Sequence, residues 1–138
     1  MLLAALVAGV LFLLAAIHLY WGFGGRWPGH DEASMVEHVV GRTRGMKAPG
    51  LAASAAVALA LAIGGGLILA SVFPPTPLEP LLKIGRWGLL AVFAGRGLAT
   101  YVPPVFRYAE GTPFWRLNRR AYGPLCLAIA LGILAIQM

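Results

Sequence analysis

The sequence predicts an all-α integral membrane protein, one four-helix bundle over residues 1–138, on three observations. Hydrophobic residues make up 59% of the chain and charged residues 12%, about half the 25% or so that soluble domains carry; mean hydropathy is +0.79. Segments at about 2–23, 51–73, 81–102 and 121–137 each approach the roughly 20 residues a helix needs to cross a bilayer core of about 30 Å. Basic residues gather in the two connections that four crossings put on the same side.

The first segment, 2–23, has the apolar length of a secretory signal but no basic start. It runs without a clear small-residue cleavage site into His18, Tyr20 and Trp21, so it reads as a retained span. In the following HDEASMVEHVVGRTRG, Ala33, Val36, Val39 and Val40 recur at helical spacing, Ser34 and Glu37 form a capping-box pattern, and Gly41 offers a stop. That pattern predicts a short interfacial helix on the cytoplasmic surface. The second span, 51–73, carries Gly64, Gly65 and Gly66, which let a neighbouring helix approach closely. PPTPLEP, 74–80, is a short stiff link between antiparallel helices. The third span, 81–102, contains Lys83, Arg86 and Arg96 and stops at Pro103 and Pro104, while the fourth, 121–137, has Pro124 in its first turn.

Arg26, Arg42, Arg44 and Lys47 lie between the first two spans, and Arg107, Arg116, Arg119 and Arg120 between the last two. Only Lys83 and Arg86 sit near the opposite surface, and Lys83, like Tyr20 and Tyr108, reads as an interface anchor. The positive-inside rule therefore puts both basic connections in the cytoplasm and both termini outside. The net charge of +6 is concentrated on one face, where it serves topology and attraction to anionic membrane lipids. Nucleic acid is not an expected partner, because no binding module is present.

Depth then selects the polar residues. His18 lies about five residues, roughly 7 Å, before the inner end of the first span, and Arg96 about seven residues, roughly 10 Å, above Pro103. Tyr20, Trp21, Tyr101 and Tyr122 mark the interface, and Cys126 falls at about the depth of His18. An arginine inside a membrane costs at least about 2.5 kcal/mol and normally faces protein or a water-filled cavity. Every acidic residue, namely Asp31, Glu32, Glu37, Glu79 and Glu110, lies in a connection by this map. Arg96 is therefore left to backbone carbonyls, tyrosine hydroxyls, His18, a lipid phosphate, a ligand, or a snorkelled path to the surface.

Other chemistries are poorly supplied. Bis-histidine haem needs a second histidine at the depth of His18, yet His30 and His38 lie in the connection, so no cofactor is expected and haem through His18 is a weak alternative. No metal site is expected, and the lone Cys126 has no disulfide partner. Nucleophile motifs, phosphate loops and paired carboxylates are absent from the sequence.

HLYWGFGGRW at 18–27, GRWGLLAVFAGRG at 85–97 and AYGPLCLAIALG at 121–132 resemble a bacterial family of small four-helix membrane proteins with a domain of unknown function. The carrying motifs are His-x-Tyr-Trp, here His18, Tyr20 and Trp21; an arginine late in the third helix, here Arg96; and Tyr-x-Pro-Leu-Cys, here Tyr122, Pro124, Leu125 and Cys126. The resemblance implies a multi-pass protein of the bacterial cytoplasmic (inner) membrane. It also implies Asp-Thr before the fourth helix, where this chain has Asn118, Arg119 and Arg120, losing an acid able to partner a base.

The expectation is a pocket in the cytoplasmic half that binds an amphipathic or anionic small molecule of lipid, isoprenoid or quinone type. Arg96 would hold its anionic or carbonyl group and His18 would hydrogen-bond it, with Trp21, Tyr101, Tyr122 and Cys126 completing the site. Two alternatives stand beside it. One is an accessory or assembly subunit, whether a homo-oligomer or paired with a membrane partner protein; the other is an enzyme or redox protein using His18.

Overall fold

The computed structural model describes residues 1–41 and 47–138. Arg42 and Arg44, counted above among the basic residues of the first connection, lie outside the described residues. All regular structure among the described residues is helical: α1 (Leu2–Gly22), α2 (Glu32–Val39), α3 (Leu51–Ala70), α4 (Glu79–Ala99), α5 (Pro113–Leu117) and α6 (Gly123–Gln137). A 3₁₀ turn at Arg107–Ala109 precedes α5, and a π-helical segment at Asn118–Tyr122 joins α5 to α6. Leu2–Gly22, Leu51–Ala70 and the continuous stretch Pro113–Gln137 are long and apolar enough to cross a membrane. The 21-residue α4 matches them in length but carries Glu79, Lys83, Arg86 and Arg96.

α1 packs chiefly on α3 and α4 on α6, while α1–α6 and α3–α4 contacts join the two pairs. The buried face of α1 is Ala4, Val7, Ala8, Leu11 and Ala15, a stripe at helical spacing. That of α3 includes Ser54, Ala58, Gly64, Gly65 and Ile68. Small residues on both stripes bring the backbones close, so that a Cβ at Gly65 would sit 2.8 Å from the Phe12 ring. α4 and α6 are as tight: a Cβ on Gly97 would lie 2.7 Å from the Leu127 side chain, and one on Gly123 2.8 Å from Thr100. Leu11, Ile68, Phe93 and Ile133 fill the shared core.

Several boundaries differ from the sequence expectation. The third helix closes at Ala99 rather than 102, because Pro103 and Pro104 have no N–H to bond the carbonyls of Ala99 and Thr100. The fourth begins early, at Pro113, and widens into a π turn just before Pro124, whose ring cannot sit against the carbonyl four residues back. α2 is capped by Asp31, not Ser34: Ser34 is its third residue, donating its backbone N–H to Asp31 Oδ1 at 2.8 Å, while the Asp31 N–H donates to Ser34 Oγ at 3.1 Å. The box sits one turn earlier than the Ser34–Glu37 pattern predicts, because it needs only an oxygen at the third helical position that reaches back. The Ser34 backbone N–H, and after it the Ser34 side chain, hold the Asp31 carboxyl below its usual range. This contribution is present above the ordinary carboxylate range and fades as pH falls through the lowered value. Met35 and Val36 form the buried face of α2, while Ala33 is exposed.

α2 ends against the other connection. Tyr122 Oη donates to the His38 carbonyl at 3.1 Å and Tyr108 Oη to the Val40 carbonyl at 3.0 Å, satisfying end groups that a helix leaves open. Gly41 then turns at φ +93°, and a Cβ there would meet the fully buried Ala109 Cβ at 2.6 Å. Gly41→Val is expected to cost about 1–2 kcal/mol for left-handed backbone alone, with the clash added. Thermal unfolding in detergent checks this; an unchanged midpoint would show that the two connections are not locked there.

Candidate functional site

Four of the six candidate residues fall into two neighbourhoods. On the α1 side, His18 is fixed by its own helix: Nδ1 bonds the Leu14 carbonyl at 2.7 Å. A carbonyl only accepts, so Nδ1 carries the hydrogen and Nε2 is the ring nitrogen left for another group. Trp21 meets His18 edge-on, with centroids 5.1 Å apart. Its indole N–H donates to the Trp27 carbonyl at 2.7 Å, tying the chain after α1 back onto the helix end.

These two rings line a cavity of about 250 Å³, whose other walls include Met35, Val39 and Val57. Among the described residues, His18 is its one titratable wall residue. A second cavity of about 240 Å³ shares Trp21, Met35 and Pro49 with the first and adds Arg26 and Glu32. Glu32 Oε1 accepts the Ala48 backbone N–H at 3.0 Å, fixing one wall of this second space. The two adjoin at Trp21, Met35 and Pro49, a groove-like pair that is apolar beside His18 and polar toward Arg26 and Glu32.

Arg96 belongs to the other neighbourhood. Its Nη1 donates to Thr100 Oγ1 at 2.8 Å and its Nη2 to Asn118 Oδ1 at 2.7 Å, and the guanidinium lies 4.8 Å from the Phe106 ring centroid. Neutral oxygens and a π face thus surround a partly buried charge. Asn118 is 1% exposed, and its Nδ2 has no partner among the described residues. From Phe106 the rings continue through Phe114 to Tyr122 at 5.8 and 6.0 Å, and so to the α2 carbonyl that Tyr122 caps.

Tyr101 is 45% exposed and donates to the Arg119 carbonyl at 3.3 Å. Cys126 is half-buried against the apolar core. The structure therefore brings His18 and Trp21 together, links Arg96 to Tyr122 through aromatic rings, and leaves Tyr101 at the surface. Arg96 is not a wall of the His18 cavity.

Sequence reasoning missed Arg86. It is 5% exposed, paired with Glu79 and donating from Nε to Gln137 Oε1 at 3.4 Å. Thr100 was detectable, one helical turn after Arg96. Asn118 was visible only as the loss of an acid, although its amide oxygen supplies the partner.

These features define a small helical protein of membrane-spanning composition, with an apolar groove and two embedded arginines. The chain belongs to the family described as Protein of unknown function (DUF3995), which matches residues 11–133. No curated protein and no solved structure matches it.

Proposed function

We propose that the protein is a four-helix polytopic protein of the bacterial cytoplasmic membrane that binds an amphipathic small molecule in the groove beside His18 and Trp21. α4 is the fourth crossing in this reading, supported by its 21-residue length and its packing against α3 and α6. Both basic connections face the cytoplasm and both termini lie outside, as the charge distribution favours. The groove then opens at the inner interface.

The observation that carries the reading is the junction of the two cavities. The space walled by Val39, Val57 and Trp21 suits an acyl, prenyl or quinone-like body; Nε2 of His18 offers one hydrogen bond; and Arg26 suits a polar or anionic head. A single imidazole among apolar walls supports binding more than acid–base chemistry, which needs a positioned partner. Arg96, held by Thr100 and Asn118, serves this reading as the tie that keeps α4 against the start of the last helix.

Val57→Trp fills the apolar part of the groove from α3 without touching Arg96. Native mass spectrometry from lipid nanodiscs is expected to find a discrete amphiphile on the wild type and none on Val57→Trp. An empty wild type, or equal occupancy of both, overturns the reading, and a copurifying protein in its place selects the accessory-subunit alternative.

A further inference from the structure

A third cavity, of about 270 Å³, is lined by His38, Pro113, Arg116, Leu117 and Arg120. Its walls come from α2 on one connection and from α5 with the π segment on the other, and among the described residues they hold two guanidinium groups and no acid. Neither arginine has an ion-pair or hydrogen-bond partner among the described residues, where the ion pair joins Arg86 to Glu79. Arg119, between them, is used otherwise: it lies 5.0 Å from the Trp115 ring centroid. The imidazole is oriented as well, because His38 Nδ1 bonds the Ser34 carbonyl at 2.7 Å, leaving Nε2 as its unengaged nitrogen.

We propose that this cavity binds a phosphate monoester group, presented by a lipid headgroup or by a free anion. Two guanidinium forks one helical turn apart match the several oxygens of a phosphate, and Nε2 of His38 adds a third contact from the opposite wall. Charge spread over a surface would need no cavity, whereas this open pocket faces its ligand with residues from both connections. Binding would also clamp α2 onto α5, beyond what Tyr108 and Tyr122 already do. The site shares no wall with the His18 groove and does not depend on that reading.

The test uses the full chain in phosphatidylcholine nanodiscs and reads its thermal midpoint at matched ionic strength, so that screening is constant. Phosphatidic acid is added to one set, phosphatidylserine to a second, and inorganic phosphate in solution to a third. Phosphatidic acid is expected to raise the midpoint more than phosphatidylserine in the wild type and in Arg107→Gln, a basic control outside the cavity. Stabilisation by phosphatidic acid alone assigns the lipid source; an additional response to inorganic phosphate assigns a site open to the free anion. In the double variant R116Q/R120Q, whose altered side chains are exposed and unpaired, the apparent affinity should fall at least about tenfold with the loss of two charge-assisted contacts. Equal responses to the two lipids with none to inorganic phosphate, or stabilisation that survives in R116Q/R120Q, overturns the proposal in favour of diffuse surface charge.

Discussion

Glu79→Gln is expected to destabilise the protein by about 3 kcal/mol, at the low end of what breaking a buried ion pair costs. Arg86 has a side chain 6% exposed and Glu79 one 33% exposed, so the pair is buried on the arginine side and reaches solvent on the other. A guanidinium does not shed its proton to escape a poor environment. With a neutral Gln at 79, Arg86 would keep its charge against amide oxygens alone, that of residue 79 and that of Gln137 at 3.4 Å, while its Nη1 has no partner among the described residues. Arg86→Met is the informative contrast. It removes the buried charge and leaves Glu79 part-exposed in the first turn of α4, where the helix dipole favours an acid. Arg86→Met should therefore cost less than Glu79→Gln, and the double variant should resemble Arg86→Met rather than the sum of the two. Thermal unfolding of all three in one detergent decides it: a Glu79→Gln midpoint no lower than that of Arg86→Met means the pair is solvated.

The same pair shows what a linear reading resolves. Three of the apolar runs were legible because runs of that length have few other uses, and the sequence puts Arg86 in the half of its helix nearer the start. Its burial was not legible, because the covering group, Gln137, arrives from 51 residues away. His18, Arg96, Tyr122 and Cys126 show a related limit. Spacing gives the height of a residue in a helix, but which neighbour it faces depends on how that helix is rotated and paired. α1 pairs with α3, and α4 with α6. Residues at one level were thereby divided between a groove beside His18 and a polar cluster around Arg96. The π segment has a related cause: Pro124 signalled a helix start, whereas within the longer helix from Pro113 it falls where the turn widens and Asn118 becomes buried.

Asn118 carries the second large expectation, with opposite signs for two substitutions. Asn118→Leu removes the acceptor 2.7 Å from Arg96 Nη2, leaving that guanidinium with Thr100 and the Phe106 ring. A hydrogen bond to a charged group is worth about 1.5–3 kcal/mol, and leaving the donor unsatisfied places the loss toward the upper figure. Asn118→Asp keeps the shape and the acceptor, replaces the unpartnered Nδ2 with a second acceptor, and sets a negative charge against the embedded positive one. It is expected to raise the thermal midpoint, restoring an acid to the stretch where resemblance to the family implies one. The sign follows from the donor surplus of the cluster: Arg96 and Asn118 bring more N–H groups than Thr100 Oγ1 and Asn118 Oδ1 can accept. Midpoints of wild type, Asn118→Leu and Asn118→Asp in the same nanodiscs separate the cases. If the aspartate lowers stability as much as the leucine, the amide nitrogen is itself bonded and the cluster has no surplus; if it raises stability, Arg96 sits in its helix short of an anion, and Asn118 is the neutral group that holds it there.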